Sequence, residues 1–192
     1  MVDLSFRNNR FPKKGSVLIS DPFIADGYFT RSVVLLCDYS TEGAFGFVLT
    51  NYLEFDFTTI DSSFPIPQAK VSVGGPVDTE HLFYIHNFGS LVEESILIKD
   101  NLYFGGNYSQ LQEIILEDKE NEKHVRFFLG YSGWGASQLI EELKENAWIV
   151  VDNISKEEIM DTQTTEFWKY CLEKQGEKYK IISQFPLNPN EN

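Results

Sequence analysis

Cysteine is almost absent from the 192 residues: Cys37 and Cys171 stand far apart and form no C-x-x-C arrangement. That excludes a disulfide framework and a thiolate zinc site, and both read as core residues. Histidine is nearly as scarce, with only His81, His86 and His124. His81 and His86 lie five apart, which on an uninterrupted strand turns them to opposite faces. They cannot then share a metal, so no metal and no cofactor is expected. Positive charge is in deficit too, with 16 Lys and Arg against 29 Asp and Glu, for a formal charge of −13. A large phosphate-binding surface, and with it a basic DNA clamp, is disfavoured. No apolar run approaches the roughly 20 residues needed to span a bilayer, and the N-terminal stretch lacks the apolar core of a signal peptide. The expectation is a cytoplasmic chain that makes no membrane contact.

What is present is ample apolar content, 42% of residues, enough for one domain spanning 1–192 with a sizeable core. Within it, residues 1–14 carry Arg7, Arg10, Lys13 and Lys14 against the single acid Asp3. They read as a loose basic arm that either rests on its own acidic body or contacts a polyanion. Residues 186–192, with Pro186, Pro189 and three Asn, read as a loose tail.

Between these ends the first half is strand-rich. The runs Val17–Ile19, Ser32–Cys37 and Phe45–Leu49 are β-branched or aromatic and continuously apolar, which predicts strands covered on both faces. The short link 39–43 predicts an antiparallel hairpin. An irregular excursion over 52–70 holds Pro65 and Pro67, and further strands are predicted at 71–73, 81–86, 95–98 and 101–104. About four helices follow. One starts at Asn107, with Gln110 placed as in a capping box; another covers 136–146, with Leu139, Ile140 and Leu143 inward and Glu141, Glu142, Lys144 and Glu145 on the wet face. A third starts at Ser155 with Glu158, and a fourth covers 165–175 and stops at Gly176. Strands first and helices afterwards argue for an α+β fold.

Residues 124–152 carry most information and read as strand, glycine turn, helix, strand. Gly130, Gly133 and Gly135 can expose amides at a helix N-terminus suited to an anion; equally, they can serve to seat Trp134 beneath the turn. A nucleophile elbow would need G-x-S-x-G, but Trp134 stands where the second glycine belongs and no histidine follows Ser132. The glycine order G-x-x-G-x-G also departs from the dinucleotide fingerprint. Asp21 and Asp26, near Arg31, look like turn chemistry and not an acid/base pair.

The run Gly130-Tyr131-Ser132-Gly133-Trp134, followed by Gln138-Leu139, Glu142-Leu143 and Asn146-Ala147-Trp148, resembles the signature of the bacterial AlgH/YqgE family. Asp21-Pro22, Arg31-Ser32-Val33-Val34, Asn51, Val73-Gly74-Gly75-Pro76-Val77, His86 and Trp168 fall in family order, so the likeness covers residues 15 to about 175. Departures occur at Tyr52-Leu53, where members commonly carry proline, and at Ser137, where glycine is usual. The resemblance implies a compact, barrel-like, branching and mostly antiparallel β-sheet core flanked by helices. It also brings a transcriptional-regulator label, tied to alginate control, with no established chemistry.

Two function classes follow. The first is a non-enzymatic interaction or regulatory protein, touching its partner through Gly74, Gly75 and Pro76 and the segment Gly130–Gly135, with a protein partner favoured over nucleic acid. The second is a small-anion or nucleotide-binding protein, or an enzyme, built on that glycine turn. The candidate ligand-binding residues are Asp21, Asn51, Gly74, Gly75, His86, Ser132, Gly133 and Gln138, and no catalytic residue is named. Oligomeric state is not legible in the sequence.

Overall fold

The computed structural model describes residues 10–24, 27–55, 57–64, 66 and 69–186. Asp26, most of the basic arm, both excursion prolines and all but the first residue of the tail lie outside the described residues. Nine strands form one mixed sheet: β1 (Val17–Ser20), β2 (Val33–Ser40), β3 (Gly43–Val48), β4 (Val71–Val73), β5 (Val77–His86), β6 (Ile96–Lys99), β7 (Leu102–Phe104), β8 (Val125–Gly135) and β9 (Trp148–Val151). Their order is β6-β7-β5-β8-β3-β2-β1-β9, with β4 branching from β8. Every pairing is antiparallel except β4 with β8. The expected branching, mostly antiparallel α+β sheet is therefore present, but it does not close into a barrel: β6 and β9 end the path without meeting.

The branch arises where β3 and β8 part. The far end of β8 pairs with β3, Gly46 opposite Ser132 and Gly43 opposite Gly135. Its near end lies between antiparallel β5 and parallel β4. The chain leaving β3 then takes the other edge of β4, with the Val73 amide donating to Asn51 O at 2.7 Å and the Leu53 amide to Val71 O at 2.8 Å. Gly74 sits in the crotch: its N–H donates to Leu129 O and its carbonyl accepts from the Val48 amide. A Cβ on Gly74 would stand 2.3 Å from Gly130 O, so only glycine lets the three backbones meet.

Both faces of the sheet are covered, which explains the continuous apolar runs. In β1, Val17 and Ile19 join one core and Leu18 another, and none of the three is exposed. At ~1.5–3 kcal/mol per fully buried aliphatic side chain, this four-residue strand is a large contributor. The first core is closed by helices α3 (Lys156–Met160), α4 (Phe167–Glu173) and α5 (Glu177–Ile182), and the opposite one by α2 (Gln138–Lys144). A third cluster, with Phe57, Phe64 and Phe127, packs under α1 (Tyr108–Glu117).

Helix starts follow local chemistry. Ser155 and Glu158 make a complete capping box on α3. At α1 only half forms: the Asn107 side chain accepts from the Gln110 amide, while Gln110 Oε1 accepts from the Glu93 amide and not from the cap. Five α-helices and three 3-10 turns occur among the described residues, where about four helices were expected. The additional α5 begins after Gly176, whose φ of 120° breaks the chain from α4.

Arg126 is the one charged side chain buried in the described core. Its guanidinium donates to Leu49 O at 2.7 Å, to the Tyr52 hydroxyl at 2.9 Å and to Ile159 O. It thereby ties β8 to the chain after β3 and to the last turn of α3, where a cation also suits the helix dipole.

Candidate functional site

The signature segment differs from its predicted form. β8 runs on through Gly135, so Gly130–Gly135 is strand and not turn. Gly133 and Gly135 stay in the ladder opposite Phe45 and Gly43, while Gly130, at φ 68°, supplies a bend where the β8 partners change. The reversal falls instead at Ser137, with φ 65°, immediately before α2. Its N-terminal region is already occupied: the Gly135 amide donates to Gln138 Oε1 at 3.0 Å, which takes that amide from any anion.

Glu142 holds this segment together. Its Oε2 accepts from both buried indoles, Trp134 Nε1 at 2.8 Å and Trp148 Nε1 at 2.7 Å, and its Oε1 accepts from Gln138 Nε2 at 3.0 Å. The rings of Trp134 and Trp148 meet edge to face at 6.0 Å, and Phe29 packs against both. Glu142 was predicted on the wet face of its helix; it turns inward because two buried N–H donors need an acceptor. That pairing of one carboxylate with two nearby tryptophans was the signal available in the sequence.

The predicted site residues do not meet in one concavity. Gly74, Gly75 and Ser132 come together at the crotch, where Ser132 is fully buried and donates to Gly74 O at 3.0 Å. Gln138 belongs to the Glu142 group, and Gly133 to the exposed end of β8. Half-buried Asp21 accepts from the Phe23 amide at 2.8 Å; burial raises its pKa against that hydrogen bond. No ion pair joins it to Arg31 among the described residues. Asn51 donates to Tyr28 O at 2.7 Å.

His86 is fully buried on β5. Its Nδ1 accepts from the Phe88 amide at 3.2 Å, which leaves the proton on Nε2, facing Ser95 Oγ at 2.9 Å and Gly105 O at 3.1 Å. Burial lowers its pKa and favours the neutral ring. His81 is exposed beside Asp78 and His124 is half-buried. Among the described residues no three His, Cys, Asp or Glu side chains group as metal ligands. Burial raises the pKa of both thiols, Cys171 to about 12.

A concavity of about 630 Å³ does open beside the signature, where partly buried rings border the first core. Phe45, Val77, Phe83, Phe104 and Tyr131 line it, with Gly133 and Trp134 at one side and Asp38 at the edge. The rings interlock, Phe45 with Phe104 at 5.2 Å and Phe83 with Tyr131 at 5.6 Å, yet each remains partly open to solvent. Val77, paired with Tyr131, is 38% exposed. Glu42, in the β2–β3 turn, and Glu80, on β5, are exposed, and no salt bridge among the described residues engages them or Asp38.

A forked α+β sheet locked by a tryptophan–glutamate–tryptophan knot defines a scaffold class more than a chemistry. The chain belongs to the AlgH-like family, whose model matches residues 17–180. A UPF0301 protein of Bacteroides thetaiotaomicron is 41% identical, covering 96% of this chain and 94% of the relative. A UPF0301 protein of Parabacteroides distasonis is 37% identical, covering 95% and 92%. Among solved structures, protein DIP2367 of Corynebacterium diphtheriae superposes with a TM-score of 0.76 at 22% identity, covering 93% of this chain and 94% of that one. The AlgH protein of Pseudomonas aeruginosa superposes with a TM-score of 0.70 at 23% identity, covering 90% and 94%. These two share the fold with this chain. No helix among the described residues is long and apolar enough to cross a membrane.

Proposed function

We propose that this chain is a non-enzymatic interaction protein that takes an aromatic or aliphatic side chain from a basic segment of a protein partner into the concavity lined by Phe45, Val77, Phe83, Phe104 and Tyr131. The observation that carries the reading is that partly exposed aromatic hollow, edged by the exposed acid Asp38, which no salt bridge among the described residues engages. Apolar hollows with a charged rim are where proteins seat anchor residues, and the rim selects the partner's charge. A buried Ser132 donating to a carbonyl, two buried thiols and a neutral buried His86 support binding over bond making. A regulatory role would then run through protein contact, because a net charge of −13 opposes close approach to DNA.

The test titrates the full chain with a nonapeptide carrying one tryptophan between lysines, and with its glutamate counterpart, followed by NMR amide shifts. Saturable shifts along β3, β5, β7 and β8 are expected for the basic peptide alone, weakening with salt and lost in Val77→Lys. Equal binding by Val77→Lys, or no binding by wild type, would refute the reading.

A further inference from the structure

Arg31 carries two anomalies that the contact surface does not use. Its φ is 47°, a left-handed backbone that side chains other than Gly, Asn and Asp rarely adopt. Its Nε is buried and finds no hydrogen-bond partner. No carboxylate among the described residues pairs with it, although Nη2 donates to Phe185 O and the guanidinium lies over Trp168 at 5.2 Å. Strained backbone and an unsatisfied buried donor are each uncommon, and such features cluster where a ligand is held.

The residue lines a cleft of about 580 Å³, separate from the aromatic hollow and bounded by the chain just before β2, the chain after β3, the start of α4 and the chain after α5. Thr50, Asn51 and Lys169 share its walls. Thr50 Oγ1 accepts from the Val33 amide, so its hydroxyl proton remains for another acceptor. Asn51 spends one N–H on Tyr28 O, and the Lys169 ammonium stands 3.6 Å from Glu166. Arg31 and Lys169 outnumber the one acid of the lining, Glu166, in a chain that elsewhere is strongly acidic. Stacking on Trp168 and the bond to Phe185 O restrict the guanidinium in advance, which lowers the ordering cost of binding.

We propose that this cleft is a binding site for a small oxyanion, a phosphate monoester or a carboxylate, with Arg31 as the principal contact and Lys169, Thr50 and Asn51 as the supporting donors. The full chain is titrated with inorganic phosphate, glycerol 3-phosphate and glycerate at constant ionic strength, with glycerol as the neutral control, and followed by NMR amide shifts. Saturable shifts at residues 30–32, 50–51 and 165–169 are expected with at least one oxyanion and none with glycerol. The tighter of glycerol 3-phosphate and glycerate assigns the anion. Arg31→Gln is expected to weaken binding about tenfold or more, the loss of a charge-assisted hydrogen bond. Lys169→Gln, which removes a half-buried side chain that among the described residues pairs with Glu166, is expected to weaken it less while leaving the unliganded melting temperature within about 1 °C of wild type. Absence of saturable shifts in wild type, shifts confined to other residues, or unchanged affinity in Arg31→Gln would each overturn the assignment. Should Arg31→Gln fail to fold, the location of the wild-type shifts and the Lys169→Gln affinity decide it.

Discussion

Replacing Glu142 by alanine removes the single oxygen that accepts from both Trp134 and Trp148. Those side chains are 5% and 1% exposed, and their N–H groups sit 2.8 and 2.7 Å from Oε2. Each buried donor left unpaired costs ~1–3 kcal/mol, so two cost ~2–6. Glu142 is half-buried, so water entering the space it vacates can recover part of this. The expected loss is ~2–4 kcal/mol, a large fraction of the ~5–15 kcal/mol that holds an ordinary domain folded. Urea unfolding followed by tryptophan fluorescence measures it as a lower midpoint at unchanged slope. Glu142→Gln keeps an acceptor at the same place but sets an amide NH2 against Gln138 Nε2, so it is expected to cost less, ~1 kcal/mol. Combined with Trp148→Phe, which keeps the ring and removes its donor, Glu142→Ala should show a coupling of ~0.5–3 kcal/mol. An alanine variant within ~0.5 kcal/mol of wild type, a glutamine variant as damaged as the alanine one, or a vanishing coupling refutes the reasoning.

Gly74→Ala forces a Cβ against Gly130 O and the Phe47 ring and should cost ~3 kcal/mol, whereas Gly27→Ala, with open space around it, should fall within ~0.5; paired urea curves compare them. Arg126→Met strips three acceptors of a charged donor and should cost ~3 kcal/mol or more by the same assay, so a neutral result would show that the guanidinium is held without net benefit. Because burial lowers the His86 pKa, the unfolded chain binds the proton more readily than the folded one. Stability should therefore fall as pH drops below about 6.5, and His86→Gln should flatten the urea midpoint between pH 7.5 and 5.5; an unaltered slope in the variant counts against it.

The sequence by itself determined those features whose cause lies within a few residues: the apolar runs of β1 to β3, the short β2–β3 hairpin, the Ser155–Glu158 capping box and the inward stripe of Leu139 and Leu143. In each, the hydrogen bond or the periodicity is complete inside one element, so spacing alone reveals it. Tertiary structure alone decided what β8 pairs with. Its glycines read locally as a turn, because glycine permits reversal, but in the fold they allow neighbouring backbones to approach, as where Gly74 of β4's exit meets Gly130. It also decided that Glu142 faces two indoles and that Arg31 and Asn51 share a cleft while His86 is buried apart from them. Those relations join residues that are distant along the chain. They are selected by which buried donors must find acceptors once the layers pack, a condition no single segment contains.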